Sequence, residues 1–349
     1  MFETFGFETL TAPQAAVLFG LVLGAAFGAL AQVTRFCLRR AVVGTAEERR
    51  PAAAVWLTAL AAAVIGTQLA VSAGLVSFED HRFHTADIPV AALLTGGLLF
   101  GAGMVLTRGC ASRLTVLLAS GNLRALTVLL VFAISAHATL KGVLAPLRTA
   151  LGDATLTVDS GVLPGAPLFW GGLVALAAAA LAWRAGVRPL HLGLAALLGL
   201  LVPAGWVGTG FVLLDEFDPI DLASLSFTAP AADGLFWTVA ATAIPANFGV
   251  GLFGGTVAGA LVLSLARREF TWLSFASPAE TGRYLTGGAL MGVGGATAGG
   301  CTVGAGLSGV PTLGLSAILA LAAIVLGSWL TDRALATRTK APAAAVPAE

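Results

Sequence analysis

Long apolar blocks separated by short polar clusters run through the whole chain, and they dictate its architecture. Their lengths predict nine membrane spans, at 13–33, 52–75, 89–107, 124–145, 167–185, 189–210, 234–266, 283–299 and 311–331, because about 20 apolar residues carry a helix across a hydrocarbon core. The 234–266 block is too long for one straight crossing, and Pro245, Asn247, Gly249 and Gly251 sit in its middle. It is read as a broken helix, or a helix with a re-entrant piece, because proline removes a helical hydrogen bond. Three further stretches, 38–46, 111–120 and 302–309, are too short to cross and are expected to dip into the membrane as half-helices. The expected fold is all-α: a polytopic membrane protein of about nine transmembrane helices plus short re-entrant helices. Residues 335–349 read as a disordered polar tail.

Composition supports this class. The chain is 57% hydrophobic and 11% charged, with a mean hydropathy of +0.91, against roughly 25% charged residues in ordinary soluble domains. A net charge of +1, dispersed over loops, is no nucleic-acid footprint, so lipid is the expected surrounding and nucleic acid no partner. The segment MFETFGFETL has no basic leader, and the block from Thr11 is expected to be a retained span. Basic loops alternate with acidic ones. Arg35, Arg39, Arg40, Arg49 and Arg50 follow the first span, Arg108, Arg113 and Arg124 the third, and Arg267 and Arg268 the seventh. Glu79, Asp80, Asp87, Asp153, Asp159, Asp215 and Asp218 mark the other side. The positive-inside bias predicts an outer N-terminus and an inner C-terminus.

The chain also repeats itself. Residues 94–110, LTGGLLFGAGMVLTRGC, match 285–301, LTGGALMGVGGATAGGC, at nine of seventeen positions. A looser copy, LVLGAAFGALAQVTRFC, ends at the third cysteine, Cys37. Under the predicted topology the two closer copies cross in opposite directions. The halves, about 10–146 and 189–331, are therefore expected to be inverted repeats joined by the span 167–185, within one transporter domain covering 1–349. GWVGTG at 205–210 holds no cysteine where a fourth might stand.

Cys37, Cys110 and Cys301 each end a span just before a short piece. Irregular backbone at membrane depth survives only where it is buried in protein or lines a cavity, and glycine lets backbone approach a ligand closely. The candidate substrate-binding set is Cys37, Cys110, Cys301, Arg35, Arg108, Gly109, Gly300 and Lys141. Packing alone is the rival reading for each thiol, since free cysteine behaves as a small buried hydrophobe, and Lys141 could snorkel outward instead. His137 and Asn247 are read either as satisfied structural residues or as groups facing the route. Thiols, open amides and cations together suit an anion with soft, sulfur-like chemistry. No carboxylate or paired histidine accompanies the thiols, so neither a metal nor a cofactor is expected, and no catalytic residue is assigned.

TRFCLRRA at 34–41, LTRGCASR at 106–113, DEFDP at 215–219, LSFTAP at 225–230 and AGGCTVGAGLSG at 298–309 resemble, in order, the YeeE/YedE family of bacterial membrane proteins. The resemblance runs from about Ala15 to Leu330. It implies a thiosulfate uptake transporter of the cytoplasmic (inner) membrane, hourglass-shaped, with nine spanning and four short intramembrane helices. It further implies that Cys37, Cys110 and Cys301 line the central route as serial relay sites, and that a small cytosolic TusA-like sulfur-carrier protein can act as partner. Two alternatives stay open. One is a membrane sulfurtransferase that carries sulfane sulfur as a persulfide on Cys37 or Cys110; the other is a transporter of another sulfur or selenium species. The expectation is a transporter and not an enzyme.

Overall fold

The computed structural model describes residues 10–215 and 217–340. Most of the acidic N-terminal segment, and residues 341–349 of the expected tail, lie outside the described residues. The chain begins with α1 (Ala12–Thr34), the short α2 (Leu38–Val43) and α3 (Ala46–Ser72). It continues through α4 (Val90–Leu106), the short α5 (Ala111–Ala119), α6 (Leu123–Leu140) and a surface helix α7 (Ala145–Gly152). A single span, α8 (Pro167–Ala185), leads to α9 (Pro189–Val207), whose wide-turned continuation ends at Val212. Then come α10 (Thr228–Ala240), α11 (Phe248–Ala266) and α12 (Pro278–Thr297), a wide-turned segment Thr302–Gly309, and α13 (Leu315–Lys340). Among the described residues nine helical stretches are long and apolar enough to cross a membrane, and this is a multi-pass α-helical membrane protein. A two-residue antiparallel ladder, β1 (Asp87–Ile88) with β2 (Leu156–Thr157), ties two loops together.

The punctuation follows from the sequence. Asn122, Asn247 and Ser277 accept hydrogen bonds from the backbone N–H groups of Ala125, Val250 and Glu280, at 3.2, 3.0 and 3.2 Å, which satisfies donors that a helix start leaves open. The long apolar block is broken as expected: α10 ends at Ala240 and α11 starts after Asn247. Other limits moved. The 124–145 span stops at Leu140, α7 follows it, and α13 runs to Lys340, past the expected start of the tail at 335.

Packing in lipid cannot rely on hydrophobic exclusion, because lipid tails are as apolar as leucine, so small residues that admit close backbone contact hold helices together. The α1–α11 pair shows this reciprocally. A Cβ on Gly20, Gly24 or Gly28 would overlap the carbonyls of Phe248, Leu252 and Thr256 on α11. A Cβ on Gly251, Gly255 or Gly259 would overlap those of Val17, Leu21 and Ala25 on α1. Similar approaches seat α4 on α12 through Gly96 and Gly294, α4 on α13 through Gly97 and Gly101, and α12 on α6 through Gly292. Partners exchange between the two halves of the chain: α1 packs on α11 and α9 on α3, while α4 packs on α13 and α12 on α6. The span α8 packs on α3.

The glycine seam generates a prediction. Gly24→Leu places a branched side chain against the Leu252 carbonyl and should destabilise the fold by about 3 kcal/mol or more, at the upper end of overpacking costs. Gly172→Leu, at a site with open space around it, should be close to neutral. Thermal unfolding midpoints of the two purified variants in detergent measure the contrast, and equal midpoints would remove the seam from the account.

Candidate functional site

Each of the three thiols is the residue immediately before a short helical segment. Cys37 precedes α2, Cys110 precedes α5 and Cys301 precedes Thr302–Gly309. Two residues before each thiol the backbone turns left-handed, at Arg35 (φ 51°), Arg108 (φ 58°) and Gly299 (φ 72°). That turn ends the incoming span and releases the chain extended into the cysteine. Phe227 holds the corresponding place before α10. The fourth break therefore lies there and not at GWVGTG, through which the helix continues with widened turns.

The thiols are buried, with relative exposures of 3% for Cys37, 1% for Cys110 and 0% for Cys301, and none is in a disulfide. They are brought together from opposite halves of the chain. The Cys37 and Cys110 side chains lie side by side. Cys110 also meets Ser112, at 3.4 Å between Sγ and Oγ, and the Thr302 hydroxyl. Cys301 accepts a hydrogen bond from the Gly304 N–H at 3.3 Å and meets the Phe227 backbone. An aromatic wall runs alongside: Phe27 lies 6.3 Å from Phe36 and 5.1 Å from Phe227 between ring centroids.

On the side where α1 and α11 begin, a cavity of about 730 Å³ opens toward this cluster. Its lining includes Arg82, Trp206, Ser226, Asn247, Gly304 and Ser308. Gly304 is thus both a cavity wall and the hydrogen-bond donor to Cys301. Backbone at this depth is satisfied by side chains: Ser308 donates to the Leu225 carbonyl at 2.7 Å, and Ser224 to the Val202 carbonyl at 2.8 Å. On the opposite side, where α1 and α4 end, Arg113 lies near Cys37, Cys110, Arg35 and Arg40. Among the described residues no group of three or more His, Cys, Asp or Glu side chains could hold a metal.

The remaining expected site residues divide by position. Arg35 and Arg108 are exposed at the left-handed turns. Gly109 is joined to the α4 end through its N–H to Met104 and its carbonyl to the Thr107 hydroxyl. Gly300 packs so closely on the first turn after Cys301 that a Cβ would stand 2.7 Å from the Ala305 nitrogen. Lys141 stands at the cavity edge and not in the thiol layer, 3.8 Å from the Asp233 carboxylate. Asn247 caps α11 and lines the cavity at once, which joins its two readings. His137 stacks on Phe236 with centroids 4.7 Å apart.

Sequence reasoning missed the loop of residues 73–89, which folds into the cavity mouth. Phe78 and Phe83 are buried there, and the His81 ring lies 5.0 to 5.8 Å from Phe83, Trp206 and Phe78. His84 Nε2 bonds the Thr312 carbonyl at 2.8 Å. Burial, helped by the Arg82 and His84 charges, pushes the His81 imidazole from 6.5 down to about 4, since desolvation disfavours the charged ring. A depressed histidine contributes stability that is complete above the unfolded value and is lost as pH falls from 6.5 to about 4. At 1.36 kcal/mol per unit the whole effect amounts to at most about 3 kcal/mol. The thermal midpoint should therefore drop over that window, and His81→Phe should flatten the drop. An unchanged slope in the variant would detach His81 from it.

Comparison with known proteins gives a consistent picture. A family model described as sulphur transport matches residues 33–330. The thiosulfate transporter TsuA of Escherichia coli (strain K12) is 26% identical over 345 residues, covering 90% of this chain and 93% of that protein. The protein of the same name from Spirochaeta thermophila is 26% identical over 334 residues, covering 89% of this chain and 96% of its own length.

Proposed function

The chain belongs to the sulphur transport family, and from that premise we propose that it imports thiosulfate across the bacterial cytoplasmic membrane through a line of three cysteine thiols. One observation carries the reading. Three buried thiols, each at the start of a short segment, form a linked cluster between an open cavity and a set of arginines.

Position suggests the order. Cys301 touches the cavity wall through Gly304, Cys110 comes next through Thr302, and Cys37 lies beside Cys110 near Arg113. The dianion collects in the cavity, where it exchanges water for amide and hydroxyl donors. At each station its terminal sulfur accepts a weak S–H hydrogen bond. Weak, repeated sites suit conduction, which needs binding firm enough to enter and loose enough to leave. The halves 10–146 and 189–331 are read as inverted repeats; what supports this is the repeated cysteine phrase together with the exchange of packing partners between halves. Orientation with the cavity outside follows the charge alternation of the loops. The resemblance to relatives that work with a TusA-like carrier makes such a carrier the proposed acceptor at the inner face.

The contact between Cys37 and Cys110 beside Arg113 favours one second reading, sulfur transfer. A thiolate would attack the sulfane sulfur of thiosulfate, the sulfur–sulfur bond would break, and sulfite would leave with the bonding pair.

Single changes Cys37→Ala, Cys110→Ala and Cys301→Ala should each lower uptake of labelled thiosulfate into proteoliposomes by about tenfold or more, the scale of losing a hydrogen bond to a charged group. Normal uptake by a folded triple variant would end the relay proposal. Intact-mass measurement after thiosulfate exposure separates the readings: an unchanged mass fits passage, and a stable gain of one sulfur atom fits transfer.

A further inference from the structure

Arg113 is the third residue of α5, three positions after Cys110, so it shares a helical face with that thiol. Its Nη1 is the one terminal guanidinium nitrogen among the described residues that is buried with no hydrogen-bond partner. The Cys37 and Cys110 thiols, Arg40 and Arg35 lie around it, and it takes part in none of the salt bridges among the described residues. Three other arginines do have a carboxylate partner: Arg124 bonds Glu280 at 2.7 Å, Arg267 bonds Glu269 at 2.9 Å, and Arg40 bonds Glu48 at 3.2 Å. A buried cation left without an anion is strongly unfavourable unless something supplies the missing charge. The fold keeps Arg113 unpaired in the place where an anion leaving the Cys37–Cys110 pair would arrive.

We infer that Arg113 is a substrate-binding residue, the anion station on the inner side of the thiol pair, and that it takes a divalent sulfur oxoanion by its oxygen-bearing end. The inference rests on the importer reading and adds an orientation to it. A guanidinium presents a planar fork that fits two oxygens of a sulfonate-like head, which a point-charge ammonium cannot reproduce. The thiols address the other, soft end. An ion held this way spans the Cys37–Cys110 pair and Arg113 at once, oxygens leading toward the inner face. Exposed Arg35 also lies near Arg113 on this side, and passage from a half-buried cation to a hydrated one gives release.

The test uses the full-length protein in proteoliposomes, with labelled thiosulfate and three forms: wild type, Arg113→Lys and Arg113→Gln. Uptake efficiency at low thiosulfate should fall about 30-fold or more in Arg113→Gln. In Arg113→Lys it should fall about tenfold through a raised KM, because the charge stays and the fork is lost. Unfolding midpoints without ligand should stay near wild type or rise in Arg113→Gln, since a half-buried charge with an unpartnered Nη1 is removed. The midpoint gain that thiosulfate gives the wild type should vanish in Arg113→Gln. Wild-type uptake by Arg113→Gln would overturn the station alone. So would a lowered ligand-free midpoint in both variants with equal loss of transport, which would mark a structural role. A wild-type protein that imports no thiosulfate would overturn the importer reading and the station together.

Discussion

A helix interrupted inside a hydrocarbon layer exposes N–H and C=O groups that lipid cannot satisfy. This chain accepts that cost four times, before α2, α5, α10 and Thr302–Gly309, and the rest of the structure is arranged around it. Side chains answer part of the demand: Asn247 caps α11, Ser224 and Ser308 reach carbonyls of neighbouring segments, and the Cys301 sulfur takes the Gly304 N–H. Full-length helices around the breaks exclude lipid from them. The result is polar, irregular backbone gathered at membrane depth, which a transport route requires and which a bundle of unbroken helices cannot provide.

Close glycine packing makes the enclosure possible. Reciprocal contacts along α1 and α11 bring two backbones nearer than any larger residue permits, and van der Waals contact then replaces the hydrophobic term that lipid cancels. The phrases that carry Gly24 and Gly28 of α1, Gly96, Gly97 and Gly101 of α4, and Gly292 and Gly294 of α12 end in the cysteines. Packing and chemistry are thus set by one repeated unit: the glycines fix where a span lies, and the left-handed residue two positions before each thiol fixes where it stops.

Much of this was legible in the sequence. Length and hydropathy located the nine spans, and the brevity of the apolar pieces after each cysteine announced the short helices. The break around Pro245 and Asn247 was visible as a block too long to cross. What escaped depends on contacts between distant segments. The loop around Phe78, His81 and Phe83 carries the polar letters of an outer loop, yet Trp206 and the Thr312 carbonyl draw it into the cavity mouth. Phe227 gives no sequence sign that it stands where a cysteine stands elsewhere. Arg108 and Arg113 both flank Cys110, and charge alone ranked Arg108 among the site residues. The local geometry separates them: Arg108 sits exposed in the left-handed turn, while Arg113 lies on the helical face of the thiol with a buried, unpartnered nitrogen. The spacing of three between Cys110 and Arg113, at the start of the expected half-helix 111–120, was the available signal; the contacts that leave Nη1 without a partner were not visible in it.

On the proposed reading, three thiols from separate segments face one continuous anion route. A structure of the full-length protein in lipid nanodiscs soaked with thiosulfate tests it most directly. The account predicts ion density on the line from the Gly304 wall past Cys301, Cys110 and Cys37, with the terminal sulfur toward a thiol. Density confined to a site that none of the three sulfurs approaches would contradict it.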